Sequence, residues 1–119
     1  MSEEIKTNLR MYVFVPYNLS PIQQGIQAAH AIAEYSLLAT EGKYIDWAVN
    51  HKTIIILNAG TTGVNSTMSV HKDNLDKLGT LYSEFNEPDL NDALTAIAFV
   101  VDMNEDSHIV GYLKQLKLA

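Results

Sequence analysis

The sequence predicts an α/β domain in which strands and crossover helices alternate. Residues 11–16 (MYVFVP), 53–58 (TIIILN) and 94–101 (LTAIAFVV) are short apolar runs rich in β-branched and aromatic residues, the composition of buried strands. Helical patterns fill the two intervals between them. The resulting order, strand–helix–strand–helix–strand, implies a layered sheet with right-handed crossovers.

In chain order, residues 1–10 are a polar lead-in, and Pro16 closes the first strand. Residues 20–40 (SPIQQGIQAAHAIAEYSLLAT) open with a capping Ser20, Pro21 at the first helical position and Gln23 three residues after the cap. Ile22, Ile26, Ala29, Ala33 and Leu37 fall in one narrow stripe at 100° per residue. Gln23, Gln27, His30 and Glu34 form an adjoining polar band, expected to be buried or pocket-facing on so apolar a helix. Residues 44–49, around Trp47, read as a short second helix. The run 53–58 suits the middle of a sheet. After the polar loop 59–65, a helix is expected from about Ser66 or Met68 to Phe85, with Val70, Leu75, Leu78, Leu81 and Tyr82 inward. Gly79 weakens that pattern without ending it. Residues 86–92 (NEPDLND) form an acidic, proline-containing loop before the third strand. Residues 108–119 fit a helix or a strand equally.

The 119 residues make one domain, 1–119, long enough to bury a core. Cysteine is absent, which removes disulfides, thiolate chemistry and a Cys-type zinc site. The polar start MSEEIKTNLR has no signal-peptide core, and no apolar run approaches the ~20 residues of a spanning helix. A soluble cytoplasmic protein without a membrane partner is expected. Net charge is −6, with a single arginine among eight basic residues, which argues against a polynucleotide partner. His30, His51, His71 and His108 lack ligand spacing, so no metal site is expected. No P-loop, Rossmann or G-x-S-x-G pattern is present, and no cofactor is expected.

Leu19-Ser-Pro, Gln27-Ala-Ala-His30-Ala, Trp47 before the strand 53–57, and Phe85-Asn-Glu-Pro-Asp-Leu-Asn91 followed by Thr95-Ala-Ile-Ala together resemble the type II peptidyl-tRNA hydrolase superfamily. The resemblance spans roughly residues 11–101, and its later part looks like a divergent, phage-associated branch. It implies a three-layer α/β sandwich with a mixed four-stranded sheet, commonly a homodimer. The enzymes carry Gly-Lys-Gly-Lys where Ser20-Pro21-Ile22-Gln23 stands here. They carry Asp-Ala-Gly-Arg-Thr where residues 87–91 stand. The missing lysines and arginine argue against tRNA hydrolysis while leaving the scaffold intact.

If the first two strands run parallel and the last antiparallel, residues 17–20, 58–65 and 87–95 converge on one sheet edge. Ligands of open α/β sheets settle at such edges, where the first helix offers free N–H groups to an anion. Ser20, Gln23, Gln27 and Asn58 are the candidate donors, Glu87, Asp89 and Asn91 the candidate readers of sugar or base, and Thr95 closes the site. The bland alternatives are a crossover loop at 58–65 and a proline-fixed turn capped by Asp89 or Asn91 at 87–91. His30 lies roughly 15 Å along the helix at 1.5 Å per residue and is read as a structural core histidine bonded to backbone.

The resulting expectation is a non-catalytic protein binding a small nucleotide-like ligand on a degenerate hydrolase scaffold. From the phage-type resemblance, it would sequester a host-defence nucleotide signal in the host cytoplasm. A divergent peptidyl-tRNA hydrolase using Gln27, Glu87, Asp89 and Thr95 is the alternative. A protein–protein interaction module is the third reading.

Overall fold

The computed structural model describes residues 7–38, 42–63 and 66–119. A five-stranded mixed sheet is built from β1 (Leu9–Val15), β2 (Ile54–Asn58), β3 (Ser83–Glu87), β4 (Ala93–Asp102) and β5 (Lys117–Leu118), in the order β3-β4-β1-β2-β5. Four helices connect them: α1 (Pro21–Leu38), α2 (Lys43–Asp46), α3 (Thr67–Lys77) and α4 (Ser107–Leu113). β1 and β2 are parallel, while β4 runs antiparallel to both β1 and β3. The expected four strands thus become five. The undecided tail divides into helix α4 and the two-residue β5, which pairs with Leu57 and Asn58.

α1 packs on one face of the sheet, against β4, β3 and β1. Its buried residues are Gln27, Ala28, Ala31 and Tyr35. A helix this apolar is expected to be buried nearly all round, yet its isoleucine–leucine stripe points outward: Ile22 is 75% and Leu37 76% exposed. The reason lies in the sheet. Ala96 and Ala98 of β4 and Ser83 of β3 present a shallow surface, on which the small Ala28 and Ala31 seat closely. Ser83 Oγ donates to the Ala31 carbonyl at 2.6 Å, a contact that bulky side chains would hold apart. Close fit, not maximal hydrophobicity, selects the buried face.

The opposite sheet face carries an aromatic cluster. Phe14 meets Phe99 edge-on at 5.2 Å and His71 of α3 at 5.2 Å. His71 Nδ1 is bonded to the Tyr112 hydroxyl of α4. Burial lowers the His71 pKa below its usual 6.5 by disfavouring the charged ring. The unfolded chain therefore binds the proton more readily, and stability falls as pH drops below about 6.5. Urea midpoints measured from pH 8 to 5 should show this slope, and His71→Gln should flatten it. An unchanged slope in that variant would assign the effect elsewhere.

α3 ends eight residues before the point the sequence pattern suggested. Gly79 takes φ +70°, Thr80 N–H donates to the Leu75 carbonyl and Gly79 N–H to the Asp76 carbonyl. That pair of bonds is the left-handed glycine stop of a helix, so Gly79 terminates α3 outright. Leu81 and Val70, expected inside, are exposed. The released residues form β3, whose Glu84 pairs with Lys72 of α3 at 3.0 Å. Trp47 is buried in a π-helical turn, Trp47–His51, and its indole N–H donates to the Thr53 carbonyl at 2.7 Å. β2, expected mid-sheet, is only half covered; Ile54 is 48% exposed because β5 shields just its far end. Among the described residues no helix is long and apolar enough to cross a membrane.

Candidate functional site

The site is built around the bend in β4. Phe85 pairs with Ala96 but Asn86 pairs with Leu94, so the register skips Thr95. Such a bulge re-aims a side chain. Thr95, which strict alternation would turn toward the aromatic face, instead reaches α1. Its hydroxyl donates to Gln27 Oε1 at 2.6 Å.

Gln27 is 2% exposed and satisfied by protein at both ends of its amide. Oε1 accepts from Thr95, while Nε2 donates to Glu87 Oε2 at 3.0 Å and, more weakly, to Gln23 Oε1 at 3.4 Å. The amide can be oriented only this way, because a carboxylate offers no hydrogen. Glu87 is half-buried at the end of β3, and its other oxygen accepts from the Asp89 N–H at 3.4 Å. One carboxylate is thereby held between a buried amide and a turn.

Ser20 caps α1 as its sequence suggests, Oγ accepting from the Gln23 N–H at 3.2 Å. Gln23 and Ser20 are both exposed beside the Gln27–Glu87 contact. Pro88–Leu90 form a 3-10 turn capped by Glu87, a role expected of Asp89 or Asn91. Asn91 and Asp92 instead hold successive left-handed conformations, φ 56° and 59°. Short polar side chains tolerate that region. Asp89 and Asn91 are exposed on this turn.

The edge convergence expected from strand directions is present. Tyr17 N–H donates to the Gly60 carbonyl at 2.8 Å, and the Thr62 hydroxyl bonds the Leu94 carbonyl at the bulge. Of the expected site residues, Ser20, Gln23, Gln27, Glu87, Asp89 and Thr95 are joined through one hydrogen-bonded chain. Asn58 is not brought into it. It lies two strands from β4, and its Oδ1 accepts from the Gly60 N–H at 2.9 Å within its own turn.

No protein-family model matches the chain, and no curated protein matches it.

His30 corrects the reading of it as a core residue. It is exposed, with its ring stacked on Phe85 at 4.3 Å and 8° between planes. The rotation of α1 that exposes Ile22 exposes His30 as well.

Cavities that no motif marks lie at the opposite sheet edge. One of about 350 Å³ lies between Tyr35, Gly79, Val100 and Ile109. Another of about 430 Å³ is walled by Asp46, Asp102, Glu105 and Asp106. The Lys43–Asp106 ion pair, 3.3 Å, borders both. The acidic turn 102–106 was the available signal, but as a sequence it reads only as solvated. Among the described residues no cluster of three potential metal ligands occurs.

Proposed function

We propose that the protein binds a small, hydroxyl- and amine-bearing, nucleotide-like ligand at the edge formed by Ser20, Gln23, Glu87, Asp89 and Asn91, without turning it over. The observation that carries this reading is the mutual saturation of Gln27 and Thr95. An esterase would need a free donor aimed at the developing oxyanion. The two groups considered for that task instead bond each other and hold Glu87. What they leave is a fixed carboxylate acceptor, flanked by exposed Asp89 and Asn91 and by the first turn of α1. Acceptors of this kind suit ribose hydroxyls and exocyclic amines, and backbone N–H groups of α1 suit an anionic group. The resemblance to the peptidyl-tRNA hydrolase superfamily, with its lysines and arginine replaced, supports the same reading. Sequestration of a nucleotide signal is the role that would follow.

The test is mass spectrometry of small molecules released on denaturing the purified protein, followed by thermal shift with mono- and cyclic dinucleotides. At a hundredfold excess over Kd a ligand adds about 2.7 kcal/mol of stability, and Asp89→Ala and Gln23→Ala should lose most of that gain. Robust cleavage of peptidyl-tRNA, abolished by Asp89→Ala, would replace this reading with the enzymatic one.

A further inference from the structure

β4 outruns its neighbour at one end. β3 begins at Ser83, opposite Ala98, so among the described residues no strand lies beside Phe99, Val100 and Val101 on that side. The chain leading into β3 turns at Gly79, and residues 79–81 line the cavity of about 350 Å³ together with Val100 and Val101.

Strand alternation fixes what β4 offers to that cavity. Met11 N–H donates to the Thr53 carbonyl, so the Met11 backbone is turned toward β2 and those of Arg10 and Tyr12 toward β4. Their partners Val101 and Phe99 bond to β1, and the Val100 N–H and C=O therefore point the other way, into the cavity. Asp102, two residues on, agrees: its N–H donates to Asp106 Oδ2 at 2.9 Å. Val100 is 3% exposed, and among the described residues the 79–81 loop makes no backbone bond to it. Buried backbone groups call for partners.

We propose that this cavity binds the amino end of a short extended peptide, paired antiparallel to β4. The two Val100 groups belong to different peptide units joined through one Cα. Both are matched together by a residue carrying its own N–H and C=O on either side of one Cα, the hydrogen-bonded pair of an antiparallel ladder. A base edge or a single amide, with donor and acceptor adjacent, matches only one of them. Antiparallel pairing sends the peptide's amino end toward Asp102. There stands the Asp106 carboxylate, its Oδ2 held by the Asp102 N–H and by Lys43 at 3.3 Å, while Oδ1 accepts no hydrogen bond among the described residues. Charge selects the same direction. Asp46, Asp102, Glu105 and Asp106 surround the adjoining cavity against one ammonium, that of Lys43. An α-ammonium suits that setting, and the carboxylate of a parallel peptide does not. Two residues fit along the edge, because at Ser83 β3 takes up the pairing. Their side chains fall on opposite faces of the sheet. The second faces Tyr35 of α1, and the first faces Leu81 and Ile109, so apolar side chains suit both.

Isothermal titration of the full chain with the dipeptide Leu-Leu tests this, and one site is expected. N-acetyl-Leu-Leu lacks the ammonium, and the analogue N-methylated at its amide lacks the N–H facing Val100. Each is expected to bind about tenfold more weakly or worse. Asp106→Asn keeps an oxygen for the Asp102 N–H, so its circular-dichroism spectrum stays native while affinity for Leu-Leu falls about tenfold. Lys43→Ala removes the competing cation and is expected to tighten binding. No binding of Leu-Leu at millimolar concentration overturns the proposal, as does equal binding of the N-acetyl form or by Asp106→Asn. Weaker binding in Lys43→Ala overturns the direction, because it places the ligand's carboxylate on Lys43. Glu87 and its turn lie at the other end of β4 and are untouched by these changes, so the nucleotide reading stands or falls separately.

Discussion

Gly60→Ala is expected to cost the fold about 3 kcal/mol, a large part of the 5–15 kcal/mol that holds a domain of this kind together. Two effects add. Gly60 has φ +90°, where an L side chain is penalised by roughly 1–2 kcal/mol. A Cβ there would also lie 2.7 Å from Thr67 Cβ and overlap its hydroxyl. Neither side can give way cheaply. Gly60 is tied on both flanks, its N–H to Asn58 and its carbonyl to Tyr17. Thr67 Oγ1 in turn accepts from the Thr61 N–H at 2.7 Å. The urea midpoint should fall without a change in slope. Adding Thr67→Ala should return the steric part and leave the backbone part. An unchanged midpoint in Gly60→Ala would mean that the loop can rearrange freely.

The second large effect is expected at Gln27. Gln27→Glu sets a second carboxyl against Glu87 at a position 2% exposed. An uncompensated charge in such a place costs about 3–5 kcal/mol. The repulsion raises the carboxyl pKa in the folded state above its unfolded value near 4.3. The folded protein then binds the extra proton, so the penalty is absent below about pH 4.3 and grows as pH rises toward neutrality. Gln27→Leu behaves differently. It loses the bonds to Thr95 and Glu87 and costs about 2–3 kcal/mol, without that pH dependence. Denaturation series at pH 4 and pH 7 separate the two variants. Equal losses at both pH values in Gln27→Glu would show that the amide does not face Glu87.

Three strands and the start of α1 were legible in the sequence, because their signals are local. A β-branched run needs little else to form a strand, and Ser20-Pro21 needs only its own helix to act as a cap. The errors fall where the answer depends on a partner surface. The inner face of α1 is chosen by the shallow patch of Ala96, Ala98 and Ser83, which comes from sequence far downstream. Glutamine and alanine win that face over isoleucine and leucine because they fit it. β3 was hidden because SEFNE has one apolar residue and follows a helical pattern without a gap. Gly79 was the available marker, read as a tolerated weakness rather than as a left-handed stop. At the site, the sequence pointed to Gln27 and Thr95 as polar residues near the edge. Their bond to each other was not legible, since it depends on a bulge that strand periodicity does not announce.

The shortest strand has a consequence for how the protein fails. Ile54–Asn58 is an uncharged run of high β-propensity, and among the described residues its outer flank is closed by Lys117–Leu118 and the Ala119 N–H bond to the Ile56 carbonyl. A two-residue pairing opens far more readily than the strands beneath it. Once open, it leaves a bare hydrogen-bonding edge of isoleucines, the kind of template on which chains stack into aggregates. Release of residues 117–119 would therefore bare that edge while the core stays folded.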